Sequence, residues 1–133
     1  MTEPLVRIRL DSPGRSYRPG EPLAGEYRVE GVEPEDLKSI EISVLWYTEG
    51  KGDEDFAVHF FQRLDSDALG AVGLRRVGRF HTILPNSPLS YRGAIVKVQW
   101  CVRMRVFLAR GRQLVEQTPF RLGDIRMTKA AAT

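Results

Sequence analysis

From Gly78 to Leu108 the chain reads GRFHTILPNSPLSYRGAIVKVQWCVRMRVFL. Its second half decides the fold. The even positions are Ala94, Val96, Val98, Trp100, Val102, Met104, Val106 and Leu108. The odd positions are Ile95, Lys97, Gln99, Cys101, Arg103, Arg105 and Phe107. One side is apolar and the other mostly polar, with a period of two. That pattern belongs to a long strand lying half-buried on a core. Helical spacing would place Trp100 and Arg103 on one face, so a helix does not account for it.

Outward from this stretch the chain divides into short apolar runs separated by turn residues. Val6, Ile8 and Leu10 alternate with Arg7 and Arg9 before Asp11-Ser-Pro-Gly. Tyr17-Arg-Pro-Gly-Glu-Pro predicts a turn, with Pro19 presetting φ and Gly20 free to take a positive φ, as in type II. Leu23 to Val29 alternates again, and Gly25 within it predicts a bulge or a close backbone approach. Ile40, Ile42, Val44 and Trp46 predict a third strand, with Trp46 as a core anchor. Thr48 to Asp55 predicts an exposed hairpin loop, its acidic run Asp53, Glu54 and Asp55 being a solvated charge run. Phe56 to Leu64, FAVHFFQRL, is more continuously apolar and predicts a central strand enclosing a half-buried His59. Asp65 to Gly78 has no clear period and predicts a long connection. Arg79 to Leu84 and Leu114 to Leu122 complete the strands, Pro119 being best tolerated at an edge. Ala109-Arg-Gly-Arg predicts a tight turn with Gly111 at positive φ.

About seven strands with no helix predict an all-β, antiparallel, immunoglobulin-like sandwich. Residues 1–124 are read as one domain and 125–133 as a C-terminal tail. A chain of 133 residues with 42% hydrophobic content suits a single core. There is one cysteine, Cys101, so no internal disulfide and no multi-cysteine zinc site can form. No basic segment leads an apolar one at the N-terminus, and no apolar run reaches membrane-spanning length; the expectation is a cytoplasmic protein.

The net charge of +3 conceals an asymmetry. Residues 1–67 hold 8 Lys+Arg against 15 Asp+Glu, and residues 68–133 hold 12 against 2. Either the second half offers a basic surface to an anionic partner, or the halves interleave and neutralise one another across strands. No compact Lys/Arg cluster with interleaved aromatics is present, which favours interleaving and makes nucleic acid an unlikely partner.

Three pieces of sequence together resemble the arrestin-like sandwich. Tyr17-Arg-Pro-Gly-Glu-Pro-Leu-Ala-Gly-Glu-Tyr is similar to that family's opening of an early strand. Ile83-Leu-Pro-Asn-Ser-Pro-Leu-Ser-Tyr-Arg-Gly is similar to its Pro- and Ser-rich corner. The long strand carries Trp100 where the family has an aromatic residue. The resemblance spans residues 5 to 122. Receptor-binding arrestins have two such sandwiches and an interdomain polar core, whereas this chain has length for one. The Pro-Pro-x-Tyr tail of trafficking adapters is absent, Pro88-Leu-Ser-Tyr91 being the nearest string. The resemblance is to a single-domain or partial member, near the bacterial sporulation-control branch, and implies a noncatalytic scaffold or adapter with no cofactor.

Two surfaces are candidates for partner binding. One is the odd face of the long strand, where Lys97, Gln99, Arg103 and Arg105 offer a cationic sheet surface to an acidic protein segment, unless Glu41 or Glu116 neutralises it. The other is an exposed sheet edge, which could accept a partner strand or a second copy to form a homodimer. Two further functions are open to test. A small enzyme would use Cys101, its thiol acidified near Lys97 and Arg103, or one of His59 and His81. A nucleic-acid or anionic-ligand binder would use Arg75, Arg76, Arg79, Arg110 and Arg112. No P-loop, G-x-S-x-G elbow, dinucleotide fingerprint or metal-ligand spacing is present, so no catalytic, cofactor or metal residues are assigned.

Overall fold

The long alternating run forms a 13-residue strand against which most of the chain is assembled in a computed structural model. The structure describes residues 3–12, 14–52, 54–65, 77–123 and 125–126. The connection expected over Asp65 to Gly78, the acidic Asp53 and the tail beyond Arg126 therefore lie wholly or largely outside the described residues.

Ten strands follow in order: β1 (Leu5–Leu10), β2 (Ser16–Tyr17), β3 (Pro22–Glu30), β4 (Leu37–Gly50), β5 (Phe56–Asp65), β6 (Val77–Ile83), β7 (Tyr91–Arg92), β8 (Val96–Leu108), β9 (Gln113–Leu122) and β10 (Ile125–Arg126). The seven strands of six residues or more are those expected from the sequence. The three two-residue strands are set by tertiary pairing and carry no periodic signal of their own. Ile125 and Arg126, read as the start of a tail, pair in parallel with Tyr91 and Arg92. Tyr17, read as part of a turn, pairs in parallel with Leu122.

The strands form two packed sheets. The small one has the order β1-β3-β6. The large one runs β10-β7-β8-β4-β5, with β9 also pairing β8. All pairs among the seven long strands are antiparallel. Between the sheets lie Leu23, Tyr27, Val29 and Phe80 from one side and Ile40, Ile42, Val44, Trp100, Val102, Met104 and Val106 from the other, all buried. Each such side chain contributes about 1.5–3 kcal/mol of burial, which is why period-two alternation dictates the fold.

Local chemistry behaves as its residue types require. Gly20 has φ 83° and Glu21 N–H donates to the Arg18 carbonyl at 3.1 Å, closing the Pro19-Gly20 turn. Gly25 is a close approach in a regular ladder: a Cβ there would lie 2.7 Å from the Phe80 ring and 2.8 Å from the Arg9 carbonyl oxygen. Arg110 and Gly111 both take positive φ, 65° and 73°, in the three-residue connection Ala109–Gly111, which the Leu108 N–H closes by donating to the Arg112 carbonyl at 2.8 Å. The Ser90 hydroxyl accepts from the Leu122 N–H at 2.8 Å, so it ties the corner to a distant strand.

The main correction concerns β5, which lies at the edge of the large sheet and not at its centre. Val44 opposes Phe60 and Leu45 opposes Val58, so His59 is an extra residue in a bulge. The bulge slips the alternation by one. Phe56, Val58 and Phe61 consequently share the outer face, and the sequence reads as a continuous apolar run. His59, expected to be half-buried, is exposed. Its Nε2 lies 2.7 Å from the Ile83 carbonyl oxygen on β6, and its ring meets Trp100 edge-on at 6.3 Å. Trp46 is half-buried and packs against the margin of the core.

The two charge halves interleave through specific pairs. Arg79 bonds Asp11, Lys97 lies 3.7 Å from Glu49, and Arg112 lies 3.9 Å from Asp36. Each joins a cation of the second half to a carboxylate of the first.

Candidate functional site

The outer face of the large sheet, turned away from the core, is where the candidate residues gather. Lys97, Gln99, Arg103 and Arg105 project there from β8, because their neighbours Val98, Trp100, Val102, Met104 and Val106 take the inner face. Their surroundings differ. Lys97 pairs with Glu49. Gln99 Nε2 donates to the Trp100 carbonyl at 2.8 Å, which commits its amide to the backbone. Arg103 Nε donates to Gln117 Oε1 at 2.8 Å. Arg105 is exposed and stands between Glu41 and Val115 across the ladders. Glu41 does not neutralise Arg105, since it accepts from Arg63 Nη1 at 2.6 Å. Glu116 opposes Met104, on the other face.

The sequence reading missed the apolar half of this face. Phe56, Val58 and Phe61 on β5 are 66%, 47% and 54% exposed, and Val115 on β9 is 54% exposed. Between them Leu45 and Cys101 oppose each other and are almost fully buried despite pointing outward. The signal was present as the run FAVHFF, and the phase slip at His59 hid its meaning. Beside it a recess of about 450 Å³ is lined by Leu45, Tyr47, Thr48, Glu54, Asp55, Phe56 and Arg103. Its floor is aliphatic, two walls are aromatic, and both charge signs stand at its rim.

The catalytic alternative loses its main residue. Burial pushes the Cys101 thiol up to about 11, and Arg103 only partly opposes the shift. The expected acidification does not occur, because desolvation of the thiolate outweighs attraction to the guanidinium. His59 and His81 lie on strands of different sheets. Among the described residues no group of three or more His, Cys, Asp or Glu could hold a metal ion.

The proposed arginine cluster is also dispersed. Arg79 is on the small sheet and bound to Asp11, while Arg110 and Arg112 flank the β8–β9 turn and Arg112 approaches Asp36. Arg75 and Arg76 lie outside the described residues. No helix among the described residues is long and apolar enough to cross a membrane.

A second opening, about 750 Å³ in volume, lies between β1 and β9, with Arg9, Asp11, Arg15 and Glu116 around it.

No protein-family model matches the chain, and no curated protein matches it. Among solved structures, the sporulation control protein Spo0M from Bacillus subtilis aligns with a TM-score of 0.63 at 16% identity. The fold is arrestin-like. The match covers 95% of this chain and 51% of the Spo0M chain, so this chain spans about half the length of that protein. The motifs carried by Tyr17–Tyr27, Ile83–Gly93 and Trp100 thus sit in an arrestin-like sandwich, on the elements that the resemblance implies.

Proposed function

We propose that this chain is a noncatalytic protein-interaction module that binds its partner on the outer face of the large sheet. The observation that carries this reading is the exposed strip Phe56, Val58 and Phe61 beside buried Leu45 and flanked by Arg103 and Arg105. Large apolar side chains grouped on one face of an edge strand, with cations alongside, are the composition of a docking site. The scaffold role implied by arrestin-like proteins agrees with a face of this kind. The exposed edge of β5 contributes less, because the bulge at His59 interrupts the ladder that an added strand would have to follow.

Photo-crosslinking tests the proposal. A photoreactive residue at Val58 is expected to capture protein from a native extract, and one at Arg28, exposed on the small sheet, is not. Capture at Val58 should disappear when Phe61→Glu is added. Equal capture at both positions would overturn the assignment of this face.

A further inference from the structure

We infer that the large sheet carries an anion site at the margin away from β5, lined by Arg15, Arg92 and Arg121, and that it takes a phosphate monoester. This goes beyond the docking face. The site lies across β4 and β8 from the strip on β5 and shares none of the residues named for it.

The site originates in a change of partner along β8. On the side away from β4, β8 pairs with β9 as far as Trp100, which opposes Phe120. Two residues on, Val98 pairs instead with Tyr91 of β7. β9 turns aside there and pairs Arg121 and Leu122 with Ser16 and Tyr17 of β2. Gln99 stands at the fork, its Nε2 donating to the Trp100 carbonyl at 2.8 Å. A recess of about 280 Å³ opens where the strands part.

Three arginines from elements remote in sequence line this recess, together with Gln99 and Pro119. Arg121 points outward because Phe120 and Leu122 on either side of it are buried. Arg92 stands opposite Lys97 in the ladder. Arg15 is brought in through its backbone, its carbonyl accepting from the Arg121 N–H at 2.9 Å. All three are exposed. Among the described residues no carboxylate lines the recess, and neither Arg15 nor Arg92 has an ion pair.

The fold thus gathers like charges around one recess. Cations set side by side, with Arg92 directly opposite Lys97, disfavour one another. Arg15 adds a conformational cost. It holds φ 52°, a region that residues with side chains avoid, although Gly14 stands beside it. A bound anion offsets these costs.

The lining also selects the class of anion. A phosphate monoester carries about −1.5 to −2 charges near pH 7 and three acceptor oxygens. Each guanidinium can meet two such oxygens at once. A carboxylate has one charge and two oxygens, enough for one guanidinium fork. Pockets that enclose a whole small molecule run to about 300–1,000 Å³. This recess is smaller, so it takes the phosphoryl group and leaves its carrier outside.

Two-dimensional NMR of the isotope-labelled full chain, titrated with phenyl phosphate at constant ionic strength, tests the site. The Nε–H signals of Arg15, Arg92 and Arg121 are expected to shift saturably, with a Kd at or below about 1 mM. That of Arg110, in the β8–β9 turn, is expected to stay in place. Benzoate offers the same ring with one carboxylate and is expected to bind at least about tenfold more weakly. Arg92→Gln and Arg15→Asn alter exposed side chains, and each is expected to weaken phenyl phosphate at least about tenfold. Arg15→Asn is also expected to melt no lower than wild type, because Asn tolerates a positive φ; its lost binding is then not lost folding. Arg110→Gln is expected to bind as wild type does. No saturable shift, benzoate as tight as phenyl phosphate, or equal weakening by Arg110→Gln would each overturn the site. Vesicles separate the two sources of such an ester. Phosphatidylcholine vesicles containing phosphatidic acid that sediment with wild type, and not with Arg92→Gln, would assign it to a lipid headgroup. Saturable binding of phenyl phosphate without sedimentation would assign it to a soluble compound.

Discussion

The indole Nε1 of Trp100 donates to the carbonyl oxygen of Pro88 at 2.7 Å, tying β8 to the Pro- and Ser-rich corner. Trp100 is 1% exposed, so the donor has no access to water in its place. Trp100→Phe keeps most of the apolar bulk and removes the donor. The expected loss is about 1–3 kcal/mol, the cost of an unmade buried hydrogen bond, read as a lower urea midpoint with unchanged slope.

His59 joins the two sheets through the Ile83 carbonyl. Because the side chain is exposed, water replaces it on removal. His59→Ala is expected to cost only about 0.5–1.5 kcal/mol. Amide exchange should accelerate along β5 and β6 while β8 stays protected.

Gly25→Ala would push a methyl against the Phe80 ring and the Arg9 carbonyl. Neither backbone nor ring yields freely in a packed sandwich, so a loss of about 1–3 kcal/mol is expected in thermal or urea unfolding. Adding Phe80→Leu should recover part of it, since the clash then has one partner fewer.

Arg110 occupies the left-handed region at φ 65°, which costs a side-chain-bearing residue energy that Asn and Gly largely avoid. Arg110→Asn is expected to raise stability by about 0.5–1 kcal/mol, seen as a higher melting temperature.

Stability should fall on the alkaline side. The Cys101 thiol loses its proton at 9.0 when unperturbed and at about 11 when buried in the fold. The unfolded state therefore ionises first. The stabilising term is complete below pH 9 and is lost as pH rises towards 11. Burial also raises Tyr17, Tyr27 and Tyr47, which add a loss of the same sign above pH 10. Urea midpoints measured across this range should drop, and Cys101→Ala should remove the earliest part of the drop. Native alkylation of Cys101 at neutral pH should be slower than that of free cysteine.

Much of this architecture was readable from residue chemistry. Trp100 and its even-numbered neighbours face the core because a strand has no other way to hide them. Pro19-Gly20 and Gly111 turn where their φ preferences allow, while Arg110 takes a positive φ against its own. The candidate face was half readable. Lys97, Gln99, Arg103 and Arg105 stand on it as a period of two requires, but Gln99 is bound to backbone, which no spacing announces. Leu45 and Cys101 are buried on the outward side, and this depends on cross-strand neighbours brought together from β4 and β8. The edge position of β5 was illegible because edge and centre differ only in what lies alongside. The same holds for Ser16–Tyr17, Tyr91–Arg92 and Ile125–Arg126, whose pairing partners are remote in the chain.

The extra residue at His59 makes the surface of this protein a matter of reading frame. Remove that one residue and the pairs Val44–Phe60, Leu45–Val58 and Tyr47–Phe56 would stand as they are, with Phe56, Val58 and Phe61 still outside. Take His59 into the ladder opposite Leu45 instead, and Val58 and Phe56 would rotate inward while Ala57 came out. The apolar strip is thus specified by the bulge as much as by side-chain identity. A relative with every aromatic retained but a regular ladder here would present a different face to its partners.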